Sequence, residues 1–385
     1  MRFWMMSLMA VFSFFPCAAS EEMAEKPLVG AIRWDAWYGK VPEGVSLPDP
    51  RQYPGAPEGL NISPDPGAET RRALSEPAVW EYRLPFYTEL DADGKVVDIP
   101  GNSPEVMAKE LALAHDAGLD YWAFVFYPED CPLSFLLKTY LESPHREKIP
   151  FCLFMFHGNY GSFSEDPAMQ EYALRLLSHP NYLKVQGNRP VLFMNSIRER
   201  TNEKLKNGLW DEFCRRLAEK GLGKPYLICC DWDVRRSKAL LDTLGGDAIS
   251  SYTPGFPEGI HVPYRQLTEH ARNFWERCQA TGAPVVPVCT AGWDRRPRVL
   301  NPVSWERIPK DTASEFKKCC LPGKPEQIAQ HVAEAIQWKK AHPNQDGVSM
   351  ILIYAWNEFD EGGWLAPTLG EGNARLEALK KVLSK

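Results

Sequence analysis

The stretch Ile351-Leu-Ile-Tyr-Ala-Trp-Asn-Glu-Phe-Asp-Glu-Gly-Gly-Trp364 passes within a few residues from an unbroken apolar run to a cluster of carboxylates. A short run that is apolar on both faces, here 350–355, predicts a strand of a parallel sheet covered on both sides. Glu358, Asp360 and Glu361 then fall at its C-terminal end, where α/β proteins place their chemistry. Trp356 and Trp364 flank them, and flat aromatic faces of this kind stack on sugar rings. An acidic, solvated turn closing a strand is the plain alternative. Trp and Asn within the same few residues weigh against it.

Working back from this stretch, similar apolar runs recur at 28–34, 120–127, 150–156, 190–194, 225–230, 248–252 and 284–289. Helical patterns separate them at 103–117, 133–142, 167–178, 203–220, 237–244, 264–281 and 325–341, with a last one at 373–383. Ser103 followed by Pro104 is a helix start, and Gly118 a stop. Strands alternating with helices predict a parallel sheet, and eight such units predict a closed (β/α)8 TIM barrel. An open doubly wound sheet is the alternative, but no glycine-rich dinucleotide loop follows the first strand. Residues 40–100 are rich in Pro and Gly without periodicity, so the barrel carries a long insertion between its first strand and first helix. Segments of that length in a compact domain are commonly functional. Neither an internal repeat nor an interdomain linker is evident, which predicts one catalytic domain over 20–385.

At 385 residues and 44% hydrophobic, the chain can bury one large core. A net charge of -6 argues against nucleic acid as a partner, because nothing neutralises a phosphate backbone. Aromatics make up 12% of the chain, including 13 Trp, which in an acidic protein points toward carbohydrate or, equally, toward a larger aromatic core. At the N-terminus, Arg2 precedes an apolar run over 3–15 and then Pro16-Cys-Ala-Ala-Ser20. This is the pattern of a signal peptide, 1–19, cleaved after Ala19, and it predicts a secreted or periplasmic protein without stable membrane insertion, with an uncleaved anchor as the alternative. The run is too short to span a bilayer. Phe15 and Pro16 make Cys17 a poor lipoprotein anchor. Of ten cysteines, cleavage removes Cys17 and leaves nine. Cys152, Cys229, Cys230 and Cys289 sit in apolar runs as small hydrophobes, while Cys319-Cys320 reads as an exposed loop pair. Export is compatible with one or two disulfides. No spacing suits zinc, so neither metal nor cofactor is expected.

In a barrel, residues just beyond each strand's C-terminal end converge on one mouth. Here they include Asp35, Trp37, Tyr127, Glu129, His157, Asn159, Asn195, Asp231, Trp232, Tyr252, Trp293, Asp294, Asn357, Glu358 and Glu361. Carboxylates supply acid and base, amides fix hydroxyls and rings stack, which together is the chemistry of a sugar site. Singly, each has a simpler reading. His157 could be a satisfied polar residue, Asp231 and Asp233 could cap the next helix, and Trp293 with Arg295 could be a cation–π pair. Other chemistries lack their signatures: there is no Gly-x-Ser-x-Gly elbow, no His-Glu-x-x-His and no phosphate loop. Glycoside hydrolysis typically uses two carboxyl groups, one of them protonated. Glu358 and Glu361 are the candidate catalytic pair, since neighbouring carboxylates repel and one pKa rises.

The segment from Trp356 to Gly362, continuing through Leu365-Ala-Pro367, resembles the Trp-Asn-Glu-Trp-x-Glu-Gly…Glu-Pro motif of the glycoside hydrolase family 99-like group. That group includes WbsX-like proteins found with polysaccharide synthesis genes. Gly118-Leu-Asp-Tyr-Trp-Ala-Phe-Val-Phe-Tyr127, Pro150-Phe-Cys-Leu-Phe154, Arg189-Pro-Val-Leu-Phe193 and Gly292-Trp-Asp294 match in the same order, so the likeness covers most of the chain. The resemblance implies a (β/α)8 barrel acting on α-linked, mannan-like glycans with retention. It implies Glu358 as base on the sugar's own 2-hydroxyl and Glu361 as general acid. Phe359 and Ala366 stand where the family has Trp and Glu. The further residues expected to bind substrate are Asp35, Trp37, Tyr127, His157, Asn159, Asp231, Tyr252, Trp293, Asp294, Trp356, Asn357 and Trp364. Two alternatives to a hydrolase are a glycosyltransferase of polysaccharide synthesis and a non-catalytic glycan-binding barrel. A cleavable signal weighs against the first, and the intact glutamate pair against the second.

Overall fold

The computed structural model describes residues 26–59, 61–75, 77–156, 160–195, 203–307 and 310–384. The expected signal peptide, His157 and Asn159 lie outside the described residues.

The apolar runs form the strands β1 (Leu28–Arg33), β2 (Tyr121–Phe126), β3 (Phe151–Phe156), β4 (Arg189–Asn195), β5 (Tyr226–Cys230), β6 (Ala248–Ser250), β7 (Val288–Thr290) and β8 (Met350–Tyr354). All pair in parallel in the spatial order β7-β8-β1-β2-β3-β4-β5-β6. Between β6 and β7 the ring closes through Ile249, which bridges to Val285. Its N–H donates to Pro284 O at 2.9 Å and its carbonyl accepts from Val286 N–H at 3.0 Å. The architecture is therefore a (β/α)8 barrel. Helices α1 (Pro104–Asp116), α2 (Phe135–Glu142), α3 (Pro167–Leu177), α4 (Trp210–Glu219), α5 (Val234–Leu244), α6 (Tyr264–Gln279), α7 (Pro325–Ala341) and α8 (Ala374–Leu383) follow the strands in turn. Strands with a helix-covered outer face and a packed interior explain why the runs lack a polar alternation.

Several boundaries follow from local chemistry. Ser103 accepts from Val106 N–H and caps α1 behind Pro104, and Asp166 caps α3 behind Pro167. The helix expected over 203–220 instead breaks at Asn207 and Gly208, whose φ of 102° is left-handed, and α4 starts afresh at Trp210. Helix α5 begins three residues earlier than expected, because Asp233 caps it by accepting from Arg235 N–H at 3.0 Å.

The insertion after β1 contains a short helix, Pro66–Ala73, and a small hairpin of Glu89–Leu90 with Val96–Asp98. It is tied to the barrel mouth by Arg83, wholly buried, which pairs with Asp294 and donates to Asp294 O at 3.0 Å. Among the described residues no helix is long and apolar enough to cross a membrane. The nine described cysteines are free thiols, and Cys319 and Cys320 are buried rather than exposed. The disulfides that export would allow are not formed among the described residues, and Cys319-Cys320 is part of the packing between loops instead of an exposed pair.

At the outer wall, His331 on α7 lies 1% exposed, its ring stacked on Trp275 at 5.4 Å. Neither ring nitrogen has a hydrogen-bond partner, and burial pushes its pKa down to about 3. The folded protein therefore excludes a proton that the unfolded chain takes up below about pH 6.5. Its contribution is complete above that pH and is lost as the pH falls toward 3. Stability should drop by about 1.4 kcal/mol per pH unit in this window from His331 alone. Urea unfolding at pH 7 and pH 5 should show a smaller acid loss, by about 2 kcal/mol, in His331→Phe than in the wild type. Equal losses in the two proteins would contradict this.

Candidate active site

Strand β8 ends at Tyr354, and the chain then turns through a short hairpin in which Asn357–Glu358 pairs antiparallel with Gly363–Trp364. This hairpin presents Glu358 and Glu361 at the C-terminal mouth. Two glycines make the turn possible. Gly362 has φ 86°, and a Cβ there would press on the Asp294 backbone. A Cβ on Gly292 would overlap Gly362 O. With Asp294 N–H donating to Glu361 O, the loop after β7 is locked directly onto the carboxylate turn. The Gly292-Trp-Asp294 sequence is explained by that close approach.

Glu358 and Glu361 both line a cavity of about 570 Å³. Its walls are largely aromatic: Trp34, Tyr127, Phe156, Tyr160, Trp232, Tyr252, Phe256, Trp293 and Trp305. Arg295, Arg298 and Glu306 supply further charge. A cavity of this size with an apolar lining and a few convergent polar groups is typical of a small-molecule or sugar site.

The two glutamates sit in contrasting surroundings. Glu358 is 3% exposed; Tyr252 OH donates to its Oε1, while Oε2 has no hydrogen-bond partner and lies 3.8 Å from Arg298 Nη2. Burial pushes the Glu358 pKa well above the carboxylate range, and the neighbouring Glu361 adds to the effect. Glu361 instead accepts from Arg298 Nη1 on one oxygen and from Tyr354 OH on the other. Both of its oxygens are thus engaged by donors, one of them a fixed positive charge.

Arg298 is the hub. It lies in a short helix after β7, Arg296–Leu300, and is 3% exposed. Its Nε and Nη2 donate to Asp360 at 2.8 and 3.1 Å, and its guanidinium lies over Trp34 and Trp305 at 5.5 and 5.6 Å. Burial opposes its charge, but Asp360 and Glu361 outweigh burial and hold the guanidinium firmly protonated. Glu306 is a third carboxylate on the cavity wall. Arg295 donates to it, its other oxygen is unpartnered, and burial raises its pKa.

Of the residues expected to bind substrate, Tyr127, Tyr252 and Trp293 line the cavity with the glutamate pair. Asp35, Trp37, Asp231, Asp294, Trp356, Asn357 and Trp364 do not; they are buried and hold their neighbours in place. Asn357 donates to Asp35 Oδ1 and accepts from Trp34 N–H, both at 2.9 Å, and its carbonyl accepts from Trp37 Nε1 at 2.7 Å. Asp35 also takes Arg33 Nε at 2.9 Å, and burial pushes its carboxyl up to about 6. Trp356 Nε1 donates to the buried Glu110 at 3.0 Å, and Glu110 pairs with Arg33 at 2.7 Å. Trp364 lies under the guanidinium of Arg375 at 3.6 Å. Burial pushes Asp294 up, but Arg83 and Arg296 outweigh it and hold the carboxyl below its ordinary value. Asp231 accepts from Asp233 N–H at 2.9 Å, shaping the loop before α5.

Sequence reasoning missed Arg298, Glu306, Trp34, Trp305 and Tyr354. One signal was present. Arg295-Arg-Pro-Arg298 places three arginines in four residues beside a strand end, in an acidic chain whose key motif holds three carboxylates. Among the described residues no group of three His, Cys, Asp or Glu side chains is arranged to hold a metal ion.

No family model matches the chain. It is 24% identical over 319 residues to the uncharacterised protein WxcX of Xanthomonas campestris pv. campestris, an alignment covering 74% of this chain and 42% of WxcX. The chain thus spans less than half the length of the curated relatives it matches. Among solved structures it is similar to a glycoside hydrolase-like protein, with TM-score 0.52 and 14% identity over 98% of this chain and 97% of the other. The two share the barrel fold. The GH99 endo-α-mannosidase of Bacteroides thetaiotaomicron superposes with TM-score 0.48 and 12% identity over 93% of this chain and 99% of that one.

Proposed function

We propose that this chain is a glycoside hydrolase cleaving an α-linked, mannan-like polysaccharide or oligosaccharide, with Glu358 and Glu361 carrying the reaction. The observation that supports it most is the contrast between two neighbouring carboxyl groups in one aromatic cavity. One is buried with its pKa raised, and the other is bound by a guanidinium. A buried carboxyl that resists ionisation suits a general acid, and a carboxyl already held by a fixed cation suits its partner role.

In this reading Glu358 carries the proton in the resting site and gives it to the departing glycosidic oxygen. Tyr252, itself kept protonated by burial, donates to Glu358 and steadies the carboxylate that remains. Glu361, held by Arg298 and Tyr354, is the carboxylate that meets the developing positive charge at the sugar or takes the proton of a hydroxyl. This reverses the division of roles implied by the family resemblance. The reason is Arg298, whose guanidinium donates directly to Glu361 but stands 3.8 Å from the buried Glu358. Trp34, Tyr127 and Trp293 provide stacking faces around the pair.

The test is wild type beside Glu361→Gln on a panel of α-mannans and other bacterial, algal and host glycans, reading released oligosaccharides. Release by the wild type and none by the variant is expected. No release from any glycan, with binding still measurable by calorimetry, would replace the hydrolase by a glycan-binding barrel. Full activity of the variant would remove Glu361 from the mechanism.

A further inference from the structure

A second cavity of about 420 Å³ adjoins the first. Phe256, Trp293 and Arg295 belong to the walls of both and form a partition between them. The rings of Phe256 and Trp293 stack at 4.9 Å with 14° between their planes, and Arg295 lies over Trp293 at 5.8 Å. Beyond the partition the wall comes from the loop after β6 and from the segment before α7. Backbone hydrogen bonds join these two pieces: Val262 N–H to Cys319 O at 2.8 Å and Leu321 N–H to Val262 O at 2.7 Å. Cys320 N–H donates to Trp293 O at 3.0 Å, tying the same floor to the partition. The site is built on paired backbone rather than on a free loop.

Its chemistry is mixed. Phe256 is 44% exposed and Ile260 65%, which leaves an apolar surface in water. Glu258 and the Glu315–Lys318 pair border it with donors and acceptors. An apolar face rimmed by a few charged groups matches a sugar residue, which has one apolar face and a hydroxyl-bearing edge.

We infer that the cavity beyond the Trp293–Phe256 partition is an outer subsite for the same glycan chain whose bond lies at Glu358 and Glu361. This rests on the hydrolase reading and adds to it. The substrate is a chain that runs across the partition and fills both cavities, and the outer contacts raise the rate on longer chains. Adjacency of the two cavities, which share three wall residues, carries the inference.

The test is a length series of end-labelled oligosaccharides from the glycan that the wild type hydrolyses, comparing kcat/KM for long and short members. The wild type should favour the long ones. In Ile260→Asp and in Lys318→Ala, both confined to the outer cavity, the long-to-short ratio should fall by about tenfold for the first, as expected from losing partial burial of one apolar side chain, and less for the second. Thermal unfolding of each variant checks that the fold is kept. An unchanged ratio in both variants, or no length preference in the wild type, overturns the outer subsite while leaving the hydrolase intact. A wild type that hydrolyses no glycan overturns the hydrolase reading itself.

Discussion

Glu358→Gln is expected to lower turnover of the natural glycan by about 10³-fold, within the range that general acid catalysis contributes. The substitution keeps the side chain's shape and its ability to accept from Tyr252, but it removes the transferable proton. Glu358 is buried, and burial together with Glu361 raises its pKa, so the neutral amide replaces a carboxyl whose charge the site disfavours. Folding stability should therefore change little, and ligand binding should persist. The decisive control is an aryl glycoside of the same sugar, whose leaving group departs without protonation. On that substrate Glu358→Gln should retain most of its activity, whereas Glu361→Gln should remain inactive. The reverse pattern would return the roles to the division implied by the family resemblance.

Replacing Arg298 should have the largest structural effect. Its guanidinium holds Asp360, which is wholly buried, and Glu361, and it lies 3.8 Å from Glu358. Arg298→Met keeps much of the bulk between Trp34 and Trp305 but leaves buried carboxylates without a counter-charge. Breaking a buried pair by removing one partner costs about 3–5 kcal/mol, because the surviving charge stays desolvated. We expect a loss of that size by urea unfolding at pH 7. Part of it should be recovered on lowering the pH, as Asp360, already raised by burial, takes up a proton and its desolvation cost falls. In the double variant Arg298→Met/Asp360→Asn the loss should shrink markedly. A single variant as stable as the wild type would show that Arg298 does not neutralise the cluster.

Much of the barrel was legible because its signals are local. Runs such as Phe151–Phe156 are apolar on both faces, and pairs such as Ser103-Pro104 and Asp166-Pro167 start helices by capping chemistry that needs no tertiary context. The break at Asn207-Gly208 was harder to see, because helical periodicity continues on both sides of it. For the site, position at a strand end located residues but not the direction of their side chains. Trp34 reaches the cavity while Trp37 turns inward to Asn357 O, only three residues away. Asn357 and Trp356 look like sugar-binding residues by type, yet their partners are Asp35, Trp34 and Glu110 on other elements. Arg298 and Glu306 lie well past the end of β7, where the rule that gathers strand ends at one mouth does not apply. Their role depends on how that loop folds back over the β8 turn.

The division of roles between the two glutamates can be read without any substrate. Carbon-13 labelling of glutamate side chains, with Glu358→Gln used to assign the signal, gives the protonation state of Glu358 by NMR across pH. This carboxyl should titrate well above the ordinary carboxylate range. Titration near the ordinary value of about 4.3 would contradict it.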